Sequence, residues 1–178
     1  MGKISAIKIK ALAYADPFTV VADPVAGLKG SEVFAKAWTE VANVHGETFK
    51  YEEAEPTVTG YKNQLTGLDY RTDIEQGDVK IDFTIGEYDY ATKAALQGGT
   101  STATSWQRPA KRATIYKALK ATTEDGVVIV FPKAAIVGRG ADTDKAIGLA
   151  VTGKAQDTGV TGLASEKWFD AAEIKAGV

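Results

Sequence analysis

Between Asp78 and Ile85 the chain alternates without interruption: Val79, Ile81, Phe83 and Ile85 fall on one side, and Asp78, Lys80, Asp82 and Thr84 on the other. A period of two places successive side chains on opposite faces of a strand, so this segment predicts a strand with one dry and one wet face. No other stretch constrains the fold as firmly. Farther on, Ile147, Leu149 and Val151 alternate with Gly148, Ala150 and Thr152, a second strand whose other face carries only small side chains and invites close packing. Between these two, Thr114 to Ala121 and Val127 to Phe131 flank Thr122-Thr123-Glu124-Asp125-Gly126. Asp-Gly supplies the left-handed backbone geometry of a tight reversal, so a β-hairpin is expected. Pro132 is expected to end its second strand or to place it at an edge, because proline cannot donate to a ladder.

A further hairpin is expected at His45-Gly46-Glu47, joining Thr39–Val44 to Glu47–Glu53, where Thr48, Phe49 and Tyr51 are good strand formers. The polar stretch Glu52–Gln64, with Pro56 and Gly60, reads as an exposed loop, and an extended loop or hairpin is placed at about 45–67. Tyr88–Gln97 reads as a helix: Tyr90, Ala91, Ala94 and Ala95 recur at helical spacing with Leu96, Asp89 suits the N-terminal dipole, and Gly98-Gly99 stops it. Ser31–Trp38 fits a helix or an alternating strand about equally. Gly98–Ser105 is rich in Gly, Ser and Thr and reads as a surface loop. Strands do not alternate with helices, so the expected fold class is mainly β, an antiparallel sandwich or barrel with one flanking helix at about 88–97, in a single domain spanning 1–178.

The 178 residues suffice for one core without staples. Absence of cysteine excludes disulfide frameworks, thiolate metal sites and cysteine nucleophiles. A single histidine, His45, excludes multi-histidine metal sites and, lying at a turn with no serine beside it, reads as a surface residue. With Lys+Arg 21 against Asp+Glu 23, the chain lacks the basic excess of a protein that grips nucleic acid. At the N-terminus, Ala11-Leu12-Ala13-Tyr14-Ala15 resembles an export-signal cleavage site, but Lys8 and Lys10 break the apolar run such a signal needs, so a structural strand is expected. No segment approaches the roughly 18 apolar residues of a membrane helix, which suits a chain made and used in water.

Chemical motifs fail on inspection. Gly138-Arg139-Gly140 opens like a dinucleotide fingerprint, but Thr143 stands at the third glycine and no helix pattern follows. Asp142-Thr143-Asp144 opens like a calcium loop, yet Ile147 and Gly153 occupy the positions that need glycine and glutamate, and a turn between strands explains the residues better. Glu52, Glu53 and Glu55 read as a solvated acidic face, with paired glycosidase carboxylates as the alternative. Trp38, Trp106, Trp168 and Phe169 read as core-filling rings, with a sugar or base platform as the alternative. No catalytic, cofactor-binding or metal-binding residue is therefore assigned, and no enzymatic activity is expected. Small-faced strands, a long polar segment and mixed charges suit a subunit that repeats itself through edges and loops.

The run Trp38-Thr39-Glu40-Val41-Ala42-Asn43-Val44, then Glu47 to Thr57 and Tyr61-Lys62, resembles the first half of phage major tail tube proteins of the kind found in Bacteroidetes phages and prophages. The similarity continues through Asp82 to Asp89, Leu96 to Gly99, Val128 to Ala134, Lys145 to Leu149 and Trp168-Phe169-Asp170. It spans roughly Trp38 to Asp170, leaves the first 30-odd residues uncovered, and contains no catalytic signature. The resemblance implies a tail tube fold, related to contractile-tail and type VI secretion tubes, whose subunits close into six-membered rings that stack into a conduit for the genome. It implies as partners further copies of the chain and other tail proteins such as tape measure, sheath and initiator or terminator. DNA passes without specific binding and no membrane takes part. The expected location is the virion tail, after synthesis in the host cytoplasm. The segment Tyr51–Leu65 is the expected reach to the next ring. The wet face of Asp78, Lys80, Asp82 and Thr84 lines the channel or faces bulk water. The competing readings are a small-molecule or carbohydrate-binding β-barrel using Trp106 and Trp168, and an acid hydrolase using Glu52 to Glu55.

Overall fold

The computed structural model describes residue 6, residues 8–143 and residues 145–175. The strands are β1 (Ile9–Ala15), β2 (Thr39–Glu40), β3 (Lys50–Glu53), β4 (Thr57–Lys62), β5 (Asp69–Glu75), β6 (Val79–Ile85), β7 (Thr100–Ser101), β8 (Trp106–Gln107), β9 (Ile115–Thr123), β10 (Val127–Thr143), β11 (Ala146–Ala155) and β12 (Lys167–Asp170). Two helices, α1 (Gly30–Ala35) and α2 (Tyr90–Gln97), and a 3-10 turn at Ala171–Glu173 complete the list.

The alternating segment forms β6, with Ile81, Phe83 and Ile85 almost fully buried. It belongs to an antiparallel sheet in the order β2-β1-β9-β10-β11-β6-β3, with β12 as an additional partner of β10. This sheet curls. Tyr51 on β3 and Phe131 on β10 stand three strands apart, about 14 Å in a flat sheet, yet their ring centroids are 6.5 Å apart. Inside the curl lies the main core, with Leu12 and Tyr14 from β1, Leu119 from β9, Ile129, Phe131 and Ile136 from β10, Leu149 and Val151 from β11, and the β6 residues. On the outer side of β1, β9 and β10, Phe18, Leu28, Val33, Leu163 and Phe169 form a second cluster under α1 and the flanking loops. The mainly β, antiparallel class is as the sequence implies.

The β9–β10 hairpin turns at 124–126, with Gly126 at φ 86° and Thr123 Oγ1 both accepting from Val127 N and donating to Asp125. Pro132 does not end β10, contrary to expectation. The register shifts between Phe131 and Ala134, so Pro132 and Lys133 sit at a bulge where no ladder donor is demanded. The Pro132 carbonyl accepts from Phe18 N at 3.0 Å, and the Lys133 carbonyl from Gln156 N at 2.9 Å. Before the bulge β10 pairs with β12, after it with β11.

The chain does turn at His45–Thr48, with Glu47 at φ 60°, but its flanks do not pair with each other as expected. Thr39–Glu40 pairs with β1, and Lys50–Glu53 with β6. Residues 41–49 thus run from one outer strand of the sheet to the other, held by Val41 N to Leu12 O at 2.8 Å and His45 N to Thr84 O at 2.8 Å. The curl is closed by covalent chain and not by a ladder.

Helix α2 starts at Tyr90, two residues later than expected, because Asp89 caps it by accepting from Thr92 N at 2.6 Å. Gly98 at φ 81° stops it as the sequence implies, its N–H reaching Ala94 O. The helix lies directly on β10: a Cβ at Gly138 would stand 2.5 Å from the Leu96 carbonyl oxygen. Of the ambiguous Ser31–Trp38 segment, only the part up to Ala35 is helical. Gly98–Ser105 is not wholly loop, since β7 pairs with β8.

Candidate assembly arm and groove

The stretch expected as an exposed polar segment, an extended loop or hairpin at about 45–67, holds paired backbone. β3 and β6 are antiparallel neighbours, Glu53 opposite Val79, with Ala54 N bonded to Asp78 O at 2.9 Å. Into that connection the chain inserts a second hairpin, β4 against β5, whose residues belong to neither core cluster. Its neck is tight, because a Cβ at Gly77 would collide with the Ala54 carbonyl. Six residues of strand give a reach of about 20 Å. The turn at 63–68 is organised by its own bonds: Gly67 N to Asn63 O and Asn63 N to Leu68 O, both 2.8 Å, and Leu65 N to Asn63 Oδ1 at 2.9 Å.

Pairing register sorts the arm's two faces. Val58 lies opposite Ile74 and Gly60 opposite Thr72, while Tyr61 lies opposite Arg71 on the other face, where Arg71 stacks on the Tyr61 ring and forks onto Asp73. Apolar side chains stand in solvent: Leu65 is 94% exposed, and Val58, Leu68, Tyr70 and Ile74 are each more than half exposed. Burying one such leucine contributes roughly 1.5–3 kcal/mol, so a hairpin carrying several is a candidate interaction surface. Both outer edges of the hairpin are also unpaired. Sequence reasoning missed Leu68, Tyr70 and Ile74. The available signal was Thr-Val-Thr-Gly-Tyr-Lys and Asp-Tyr-Arg-Thr-Asp-Ile-Glu on either side of a turn ending in Gly67.

A groove of about 770 Å³ opens where residues 41–49 cross the mouth of the curl. Its floor is apolar, with Leu12, Val44, Phe49, Ile129 and Trp168, and its rim carries Lys8, Lys10, His45 and Glu47. Lys8 and Lys10 form no ion pair with any described residue. Tyr51 lines one wall, edge-on to Trp168 at 5.5 Å, with its hydroxyl donating to the Glu166 carboxylate at 3.2 Å. Burial, then the Glu166 charge and hydrogen bond, push its pKa up to about 12.

The wet face of β6 carries mostly paired charge. Lys80 bridges Glu52 at 2.7 Å and Asp82 at 3.5 Å, Lys154 meets Asp78 at 2.6 Å, and Thr152 donates to Asp82. In register with these stand Lys50 on β3 and Val137 and Arg139 on β10.

The other singled-out residues scatter. Glu52 is engaged by Lys80 and Glu55 is exposed, so the three do not pair with one another; Glu53 instead lines a second cleft of about 440 Å³ together with Asp78, Asp157 and Glu166. Trp106 does not line the groove that holds Trp168; its Nε1 donates to Gly98 O and Lys93 covers its ring. Trp38 packs on Phe18 and lies under Lys120, whose burial lowers its pKa, and Phe169 is buried in the outer cluster. Gly138, Arg139 and Gly140 lie within β10, where Gly138 makes room for α2. Asp142 and Thr143 end that strand at its turn into β11, and Asp144 lies outside the described residues, as do Met1–Ser5 and Ile7 of the strand expected at the N-terminus. No described helix is long and apolar enough to cross a membrane. No protein-family model matches the chain, and no curated protein matches it.

Proposed function

We propose that the chain is a structural subunit of a phage tail tube, closing into hexameric rings that stack into a conduit for the genome in the virion tail. The observation that carries this reading is the β4–β5 arm, an ordered hairpin inserted into the body sheet that projects apolar side chains for a partner to cover. The curled antiparallel sheet and its single longer helix suit such a subunit, and the neutralised face around Lys80 suits a lumen. A surface whose charges already satisfy one another displaces few counterions from DNA, and DNA slides past it. Partners in this reading are further copies of the chain, in the ring and in the stack, and the tail proteins that start, fill, surround and end the tube. The work is geometric and not catalytic. Negative-stain microscopy with sedimentation over a concentration series tests it. Rings or tubes are expected, free or grown on tail initiator complexes, and a chain that stays monomeric in both settings overturns the reading.

A second reading, a small-molecule-binding barrel, draws on the groove over Trp168. It calls for a monomer with saturable quenching of Trp168 fluorescence by a small apolar or sugar ligand.

A further inference from the structure

The chain carries an apolar projection and an apolar recess on different parts of one surface, and they do not meet within the molecule: none of the arm's residues lines the groove. We infer that the groove between β1 and residues 41–49 receives the tip of the arm of a second copy, making a head-to-tail contact between adjacent rings. The inference rests on the tube reading and specifies where the arm lands.

Three observations choose this occupant. The groove has a drug-sized volume of about 770 Å³, with room for several side chains, and the tip offers Leu65 and Leu68, 94% and 72% exposed. Charges match: Lys8, Lys10 and Glu47 stand on the rim, while Asp69 and Lys62 face each other across the arm beside its turn. The arm also presents a rigid shape, because its turn is bonded within itself, so little ordering cost accompanies docking. A projection that fits a recess elsewhere on the same surface generates a heterologous contact, which propagates along an axis instead of closing a pair.

The chain has no cysteine, so single thiols report the contact cleanly. One preparation carries Leu65→Cys at the tip and another Ala42→Cys on the groove wall; both positions are exposed, and circular dichroism checks the fold. Mixed and oxidised, the two are expected to give tip-to-groove disulfide dimers at least about tenfold faster than Leu65→Cys mixed with Thr104→Cys, an exposed position off the groove. Equal rates for the two mixtures overturn the inference. In parallel, Leu65→Glu/Leu68→Glu is expected to form rings that do not stack, and tubes of normal length from it overturn the inference while leaving the tube reading standing. A wild-type chain that neither associates nor adds to initiator complexes removes the tube reading, and the thiol comparison still decides whether tip meets groove.

Discussion

Gly138 and Gly140 stand two residues apart on β10 and do different jobs. At Gly138 the α2 backbone comes so near that a methyl group would meet the Leu96 carbonyl at 2.5 Å, whereas at Gly140 the nearest atom is Ile147 Cγ2 at 3.9 Å. Gly138→Ala should therefore lose about 1–3 kcal/mol of stability, and Gly140→Ala less than about 0.5 kcal/mol. Urea unfolding of the two variants checks this, and equal midpoints would remove the helix-contact explanation. Tyr51 offers a pH test. Its folded pKa, about 12, lies above the ordinary value of 10.0, so the stability it brings is complete below pH 10.0 and is lost as pH rises through about 12. Phenolate absorbance should show a late-titrating tyrosine that disappears in Tyr51→Phe, a variant that also gives up about 1 kcal/mol with the Glu166 bond. At the other extreme of pH, the Thr92 N–H holds the Asp89 carboxyl below its usual range. Its cap is present above pH 3.8, the ordinary value, and fades on acidification. Asp89→Ala should cost about 1 kcal/mol at neutral pH and less in acid, as read by thermal melting.

Strand β10 shows how a single element can serve two sheets' worth of partners. Seventeen residues long, it would strain a twisted sheet if straight; the bulge at Pro132 and Lys133 breaks it into a half that pairs with β12 and a half that pairs with β11. From sequence Pro132 was legible as a defect in a ladder, but not as a bend, because a bend depends on which strands lie on either side. The same distinction runs through the chain. The dry face of β6, the β9–β10 turn with Gly126 and the Gly98 stop of α2 were legible because each is decided by neighbours within a few residues. The separate fates of Thr39–Glu40 and Lys50–Glu53 were not, since both are set by strands distant in sequence. Of the arm, only the first half was legible, as an extended loop or hairpin at about 45–67; its second strand lay beyond that bound because, with no core to face, it carries no buried-face pattern. As an insertion, the arm is expected to be dispensable for the body. Replacing residues 56–76 with an Asn-Gly turn should leave Ala54 and Asp78 in register and change thermal stability by less than about 1 kcal/mol and, on the tube reading, abolish stacking. A melted body in that variant would show that the arm is part of the fold.

At the scale of the molecule, the tube reading can be tested on the face around Lys80. Asp78→Lys/Asp82→Lys removes the partners of Lys154 and Thr152, leaves Lys80 with Glu52 alone, and puts two new cations beside Lys50, Lys154 and Arg139. If this face lines the lumen, ejection of the genome slows, most at low salt; unchanged ejection at every ionic strength places the face on the outside of the tube. The order of strands in the sheet has a further consequence, in time and not in space. β9, β10 and β11 follow one another along the chain and can pair as they are made, but β1 sits beside β9, roughly a hundred residues downstream. β1 thus waits for β9 to find its place, and the floor of the groove remains unfinished until β10 and β12 have supplied Ile129 and Trp168. On the tube reading, a nascent chain cannot offer its recess to a neighbour's arm before Trp168 has been made, so synthesis itself would delay polymerisation.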